Sequence, residues 1–309
     1  MINNPLVSVI LPVYNGAEYL ARAIDSILQQ SYENFELIIL NDGSSDNTQT
    51  IIESYSNKDK RVKFVNRNNK GLIYTLNEGF SIARGKYIAR HDDDDYSYPK
   101  RFEKQVAFME SNLDYALCGT QYNVVSQEFK FIRRYFLPES NAKINEFLLD
   151  SCFGHGTVML RKTMIDEMPW YQKDALYVED YEFFIRIAKK YKVHNIPEVL
   201  YDWTFRKASV SMANFEKHEY HMKCVQYAYC NNVDLKDAVV DKEDNKILKR
   251  KISNKMGDVY VLNDEKIKAF KCYFKYFSLK NLLKIFILII GRFFWIKVLE
   301  VKQRRRYVE

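Results

Sequence analysis

Residues 35–55 read FELIILNDGSSDNTQTIIESY, and the fold class follows from this one stretch. Its first six residues are apolar but for Glu36, and the run is short enough for a strand. The polar turn NDGSSD follows at once, and TQTIIESY, with Ser or Asp placed ahead to cap it, reads as a helix. The same unit recurs on either side. Upstream, PLVSVILPVYN (5–15) is a strand, and AEYLARAIDSILQQ (17–30) places Leu20, Ala23, Ile24, Ile27 and Leu28 at helical spacing. Downstream, RVKFVNR (61–67) is a third strand, and GLIYTLNEGFSIARG (71–85) is a helix closed by Gly85. KYIAR (86–90) is a fourth strand that runs straight into HDDDD. Repeated strand–helix units with short turns predict an α/β chain: a Rossmann-like, mostly parallel sheet flanked by helices. Ligands of such sheets bind beyond the carboxyl ends of the strands. The polar clusters PVYNG, NDGSSD and HDDDD should therefore converge on one rim.

Composition sets the frame for that rim. The 309 residues are 47% hydrophobic and 28% charged, enough for a large core and unlike a disordered chain. The length calls for one large domain with an appendage, or for two domains. The net charge of +7 is concentrated late, in KILKRK (246–251) and KQRRRYVE (302–309), and a basic tail points to an anionic surface. Five cysteines with no CxxC pair read as reduced thiols. The N-terminal apolar run lacks a basic leader and is broken by Pro12, so the cytoplasm is the expected compartment.

Neither a Walker lysine loop nor a GxGxxG turn follows the first strand, so the usual phosphate cradles are missing. Pro12, Tyr14 and Asn15 instead offer a bend, an aromatic face and an amide, which suit a base or ribose. Asp42 can accept from an imino N–H, beside a glycine that lets a ligand approach the backbone. Taken alone, each of these reads more readily as a turn or a packed aromatic. In the run Asp92–Asp95, an extended chain would turn Asp92 and Asp94 to one side and Asp93 and Asp95 to the other. One pair could face a ligand while the other caps the helix starting near Pro99. Hard oxygen donors favour Mg²⁺ or Mn²⁺, usually held by one or two carboxylates plus substrate phosphates. A lone acidic run is more often a solvated loop, but this one sits at the end of a buried strand. YVEDYEFFIRIAKKY (177–191) opens a helix with Glu179, Asp180 and Glu182, which complement the helix dipole or supply a general base. In SCFGHGTVMLRK (151–162), His155 lies accessible between two glycines.

Taken in order, these motifs resemble the family 2 inverting glycosyltransferases with the GT-A fold. FGHGTVMLRK, VEDYEFFIRI and SVS (209–211) continue the likeness, which spans about residues 6 to 211. The resemblance implies a GT-A domain over 1–212, its donor half about 1–98 and its acceptor half about 99–212, followed by a helical C-terminal region over 213–309. It implies that Pro12, Tyr14, Asn15 and Asp42 hold the base and ribose, with Asn77 at the rim of that pocket. The family's Asp-x-Asp-Asp pattern falls on Asp92, Asp94 and Asp95: Asp92 toward the ribose and Asp94 on the metal, with Asp92 and Asp95 as alternative ligands. Asp180 matches the catalytic base, with His155 and Glu179 on the acceptor side. Two positions depart from the pattern: Asp93 stands where Ala or Ser is common, and Arg206 where a His is common. An Arg cannot ligate a metal but can clamp a diphosphate.

The implied activity is metal-dependent transfer of a sugar from a nucleoside-diphosphate donor, UDP favoured, to a hydroxyl of a glycan or lipid-linked acceptor in surface-polysaccharide or lipopolysaccharide synthesis. Nucleic acid is not an expected partner. Two other readings compete. A nucleotidyltransferase would carry a Gly- and Lys/Arg-rich loop that PVYNGAEY lacks, and an inactive scaffold would not need Asp94 and Asp180.

The chain ends on its most apolar stretch, residues 279–309. It is near the lower length limit for a spanning helix, and Arg292 at the bilayer centre would cost about 2.5–3.5 kcal/mol. Shallow insertion is the preferred expectation. Phe293, Phe294 and Trp295 would lie at the interface, and Lys280, Lys284 and Arg304–Arg306 would reach anionic headgroups. That places the protein peripherally at the inner face of the cytoplasmic membrane. The alternative is a helix packed on the catalytic domain.

Overall fold

The computed structural model describes residues 4–206, 214–238, 284 and 292–307. The chain opens as β1 (Val7–Val13), α1 (Leu20–Leu28), β2 (Phe35–Asp42), α2 (Thr48–Lys58), β3 (Val62–Arg67), α3 (Leu72–Ile82) and β4 (Tyr87–Arg90). Every residue of β1 and β2 is buried, because helices cover both faces of the sheet. Val7, Val9, Leu11 and Val13 pack with α1 on one side, while Ile10 packs with Ile73, Leu76 and Phe80 of α3 on the other. The strand order β3–β2–β1–β4 is parallel throughout. This geometry delivers the ends of β1, β2 and β4 to the same edge.

Two local readings are refined. The start of α2 is satisfied by Asp46, whose Oδ1 accepts from Thr48 N at 3.0 Å. The third helix stops at Ile82 rather than running to Gly85. Gly85 serves a close backbone crossing instead, where a Cβ would lie 2.6 Å from Ser8 N and 2.7 Å from Leu6 O.

The second half adds β5 (Tyr96–Ser97), α4 (Arg101–Ser111), β6 (Tyr115–Ser126), β7 (Phe131–Tyr135), α5 (Asn141–Glu146), β8 (Met159–Arg161), α6 (Lys162–Ile165), α7 (Glu179–Lys190) and β9 (Lys192–Phe205). The sheet continues as β4–β8–β6–β9–β5, with β7 on β6. Here β8 runs antiparallel to both β4 and β6, while β6 and β9 are parallel. The two halves therefore share one nine-stranded sheet.

Beyond the sheet lie α8 (Phe215–Asn231) and α9 (Arg292–Tyr307). In α9, Ile296 joins Val124, Ile132 and Phe205 in a small core. Glu300 Oε1 accepts from Arg134 N of the edge strand β7 at 2.9 Å, so α9 satisfies an edge donor that would otherwise face solvent. Near its end, Arg306 pairs with Asp150, and Tyr307 meets Phe147 edge-on at 5.3 Å. The SVS motif at 209–211, the KILKRK run and most of 279–291 lie outside the described residues. Among the described residues, no helix is long and apolar enough to cross a membrane.

Candidate active site

Asn15 joins the first two rim loops. It adopts the left-handed conformation at φ 53°, which Asn tolerates better than most residues. From there its N donates to Ser44 Oγ at 2.8 Å and its Oδ1 accepts from Ser45 N at 2.8 Å. Gly16 N donates to Thr48 Oγ1 at 3.0 Å and Ala17 N to Asp46 Oδ2 at 3.1 Å. The third loop closes on the same point, since a Cβ at Gly16 would collide with the Asp93 carboxylate. Tyr14 stands out from this junction with its ring exposed, whereas Pro12 is buried within β1.

Asp42 and Asn77 are both engaged by the protein's own backbone. Asp42 Oδ1 accepts from Lys70 N at 2.8 Å and from Arg67, and its Oδ2 accepts from Gly71 N at 2.9 Å. Its carboxylate organises the turn before α3. Asn77 Nδ2 donates to Tyr171 O at 2.9 Å while Tyr171 N donates back to Oδ1 at 3.1 Å, so this amide braces α3 against the 171 loop rather than lining the rim.

The acidic run does not alternate. Strand β4 ends at Arg90 and residues 93–94 form a turn, which breaks the two-residue phase expected of extended chain. Asp93 and Asp94 consequently both face Arg206: Asp94 Oδ2 is 2.5 Å from Nε and Asp93 Oδ1 is 4.0 Å from Nη2. Asp92 Oδ1 instead accepts from Arg90 Nη2 at 2.6 Å. Asp95 turns inward and accepts from Thr204 N at 2.7 Å, tying the turn to β9. Burial and the charge of Asp92 push Asp94 up to about 6. Burial and Asp94 push Asp93 up to about 7, and Asp95 is raised by the same two causes. For Asp92, burial would raise the carboxyl, but Arg90 and His155 outweigh it and hold it below its ordinary value. The turn is thus a crowd of carboxyls short of positive charge.

Such a donor set fits a hard divalent ion. Among the described residues no three His, Cys, Asp or Glu side chains are grouped to hold a metal by themselves. An ion held at this turn would need further oxygens from substrate and water.

Across the rim, α7 begins with Glu179, Asp180 and Glu182. Asp180 is partly open, with Oδ1 accepting from Tyr181 N at 2.7 Å, and it borders a pocket lined by Ser151, Cys152, Phe153 and Phe184. Glu179 is buried, and burial together with the adjacent Asp180 raises its carboxyl to about 7. His155 lies between Asp180 and the acidic turn. Its Nδ1 is 3.9 Å from Asp180 Oδ2, its Nε2 is 3.0 Å from Tyr171 Oη, and the next residue, Gly156, abuts Asp92. Burial, then Arg90, lowers the imidazole to about 4, so it is neutral at pH 7. Arg90, Asp92, His155 and Asp180 form a connected series across the rim.

Sequence reasoning missed Arg90 and Arg101, both fully buried. Their one signal is a charge where the pattern is apolar: Arg90 ends the otherwise apolar strand KYIAR.

Residues 8–168 match the family model described as "Glycosyl transferase family 2". The chain is a family 2 glycosyltransferase. This glycosyltransferase is 38% identical over 206 residues to EpsE of Bacillus subtilis, covering 65% of this chain and 73% of that one. It is 32% identical over 228 residues to the O-antigen biosynthesis glycosyltransferase WbnJ of Escherichia coli, covering 72% and 87%. Its fold matches Staphylococcus aureus TarS 1–349 in complex with UDP-GlcNAc, with a TM-score of 0.56 at 18% identity, covering 86% of this chain and 79% of that one. It also matches the mannosyltransferase PcManGT of Pyrobaculum calidifontis in complex with GDP-Man and Mn²⁺, with a TM-score of 0.57 at 14% identity, covering 98% and 85%. At these identities the likeness is one of fold, and the glycosyltransferase has the GT-A architecture.

Proposed function

We propose that this glycosyltransferase is metal-dependent and inverting. In this reading it moves a sugar from a nucleoside diphosphate, UDP favoured, to a hydroxyl of a glycan or lipid-linked acceptor in surface-polysaccharide or lipopolysaccharide synthesis. The observation that carries it is the pairing of two unlike carboxyl sites on one rim: the crowded turn at Asp92–Asp95 and the open carboxylate of Asp180. UDP-GlcNAc in TarS, GDP-Man and Mn²⁺ in PcManGT and the O-antigen role in WbnJ's name support the substrate class.

Tyr14 offers its exposed ring to the base, and Asp92, oriented by Arg90, faces the ribose. Asp94 would hold the divalent ion, which when bound neutralises the diphosphate leaving group. Asp180 takes the proton from the acceptor hydroxyl. That oxygen attacks the anomeric carbon as the bond to the diphosphate oxygen breaks, and the configuration inverts. Neutral His155 fixes the Asp180 side of the pocket without adding a competing cation. Glu179, buried behind Asp180, keeps the acceptor side of low charge. A panel of sugar nucleotides, with and without Mn²⁺, should give metal-dependent thermal stabilisation by UDP-sugars, and NMR of the product should show an inverted anomeric centre. A retained configuration sinks the single-displacement scheme, and stabilisation indifferent to metal sinks the metal role.

The membrane reading rests on Arg304–Arg306, which end α9 on the edge of the sheet. Anionic vesicles should co-sediment the full chain, neutral vesicles should not, and R304E/R305E should weaken the binding. Equal binding to both vesicle types removes the electrostatic docking.

A further inference from the structure

Arg206 follows directly on Phe205, the last residue of β9, and the turn at 93–94 brings two carboxylates to it. Its Nε lies 2.5 Å from Asp94 Oδ2, its Nη2 lies 4.0 Å from Asp93 Oδ1, and its Cζ sits 4.9 Å from the centre of the Tyr19 ring. The Arg206 side chain is about one quarter exposed, so it is not sealed from solvent. The oxygens that the proposed function assigns to a divalent ion are therefore already engaged by a cation belonging to the protein.

We propose that Arg206 is a built-in counter-cation that keeps a free divalent ion off Asp94 and releases it only to an incoming diphosphate. The inference rests on the metal reading given above. A guanidinium and a divalent ion repel at this range, and the small interior screening makes their joint occupation of one carboxylate unfavourable. A metal arriving alone must therefore expel Arg206 and leave it without an anion. A nucleoside diphosphate changes the balance, because its phosphate oxygens match the planar fork of the guanidinium in two parallel hydrogen bonds. Tyr19 holds the guanidinium close while it changes partner, through attraction to the ring face. Metal and nucleotide then bind with positive coupling, and by linkage each raises the affinity of the other by the same factor.

The test is Mn²⁺ binding to the full chain, read from the free-ion EPR signal, with Mn²⁺ alone and then with UDP. Wild type should bind Mn²⁺ weakly alone, and UDP should strengthen that binding by more than about tenfold. R206Q should bind Mn²⁺ alone about tenfold or more tightly than wild type, with the effect of UDP reduced. R206K, which keeps the charge, should remain closer to wild type than to R206Q. Mn²⁺ alone binding wild type as tightly as R206Q, or UDP strengthening both equally, overturns the counter-cation role while leaving the metal site intact. If no variant binds Mn²⁺ even with UDP, the metal reading itself fails and the proposal falls with it.

Discussion

Asp180→Asn should lower sugar transfer by roughly 10²–10⁴-fold, the range lost when a positioned general base is removed, while UDP affinity stays at the wild-type value. The substitution keeps the shape of the side chain and removes the proton acceptor. Asp180 occupies the first turn of α7 and its side chain remains partly open to solvent. No neighbour is placed to take over. Glu179 is buried, and its carboxyl is raised to about 7 by burial and by Asp180 itself, so much of it carries a proton at neutral pH. His155 is neutral but faces Tyr171 Oη through Nε2 and Asp180 through Nδ1. Initial rates at saturating donor, beside calorimetric titration with UDP, separate the two quantities. Transfer retained at wild-type rate removes Asp180 from the mechanism; loss of UDP binding in parallel makes it a structural residue.

The largest effect on stability is expected from Arg101→Met. Arg101 begins α4 and is fully buried, yet its guanidinium serves four acceptors: Ser97 Oγ at 2.8 Å, Gln105 Oε1 at 3.1 Å, Arg90 O at 2.9 Å and Val158 O at 3.2 Å. It links the acidic-turn strand β4, the short strand β5 and the segment leading into β8. Burial, relieved in part by Tyr201, lowers its ordinary value to about 10, which leaves it charged at neutral pH. Methionine fills similar volume but removes the guanidinium donor from Arg90 O, Ser97 Oγ and Gln105 Oε1, while Val158 O keeps Arg90 N at 3.1 Å. Each stranded buried group costs about 1–3 kcal/mol, and partial relaxation brings the expected total to about 3–5 kcal/mol. Urea unfolding of the full chain measures it. A loss below about 1 kcal/mol would show that water replaces the guanidinium and that the cross-brace is dispensable. Since Arg90 O is one of the stranded groups, the variant should also weaken UDP binding through the Arg90–Asp92 pair.

The sequence by itself determined the parallel half of the sheet. Strands as apolar as VSVILPV and FELIIL, interrupted only by Ser8 and Glu36, belong in the interior of a sheet covered on both faces, and parallel strands must end on the same edge. The convergence of residues 14–17, 43–47 and 91–95 follows from that alone, and the structure joins them through Asn15, Asp46 and Gly16. Partner choice lay beyond it. Asp42, Asn77 and Asp92 are short polar side chains that accept from whatever donor the fold brings near. Only the packed chain assigns them Gly71, Tyr171 and Arg90. The phase of the acidic run turned on a bend at 93–94, whose residues carry no Gly or Pro to announce it. The bend is held from elsewhere, by Thr204 N on Asp95 and by Arg206 on Asp94, more than a hundred residues along the chain. A C-terminal helix packed on the catalytic domain was the alternative reading, but its place along β7 was not legible, since an edge strand offers its donors to any segment within reach. Local patterns state which residues must leave water; which buried charge meets which is decided only when distant segments pack, because each such pairing offsets a desolvation cost that exists only in the folded interior.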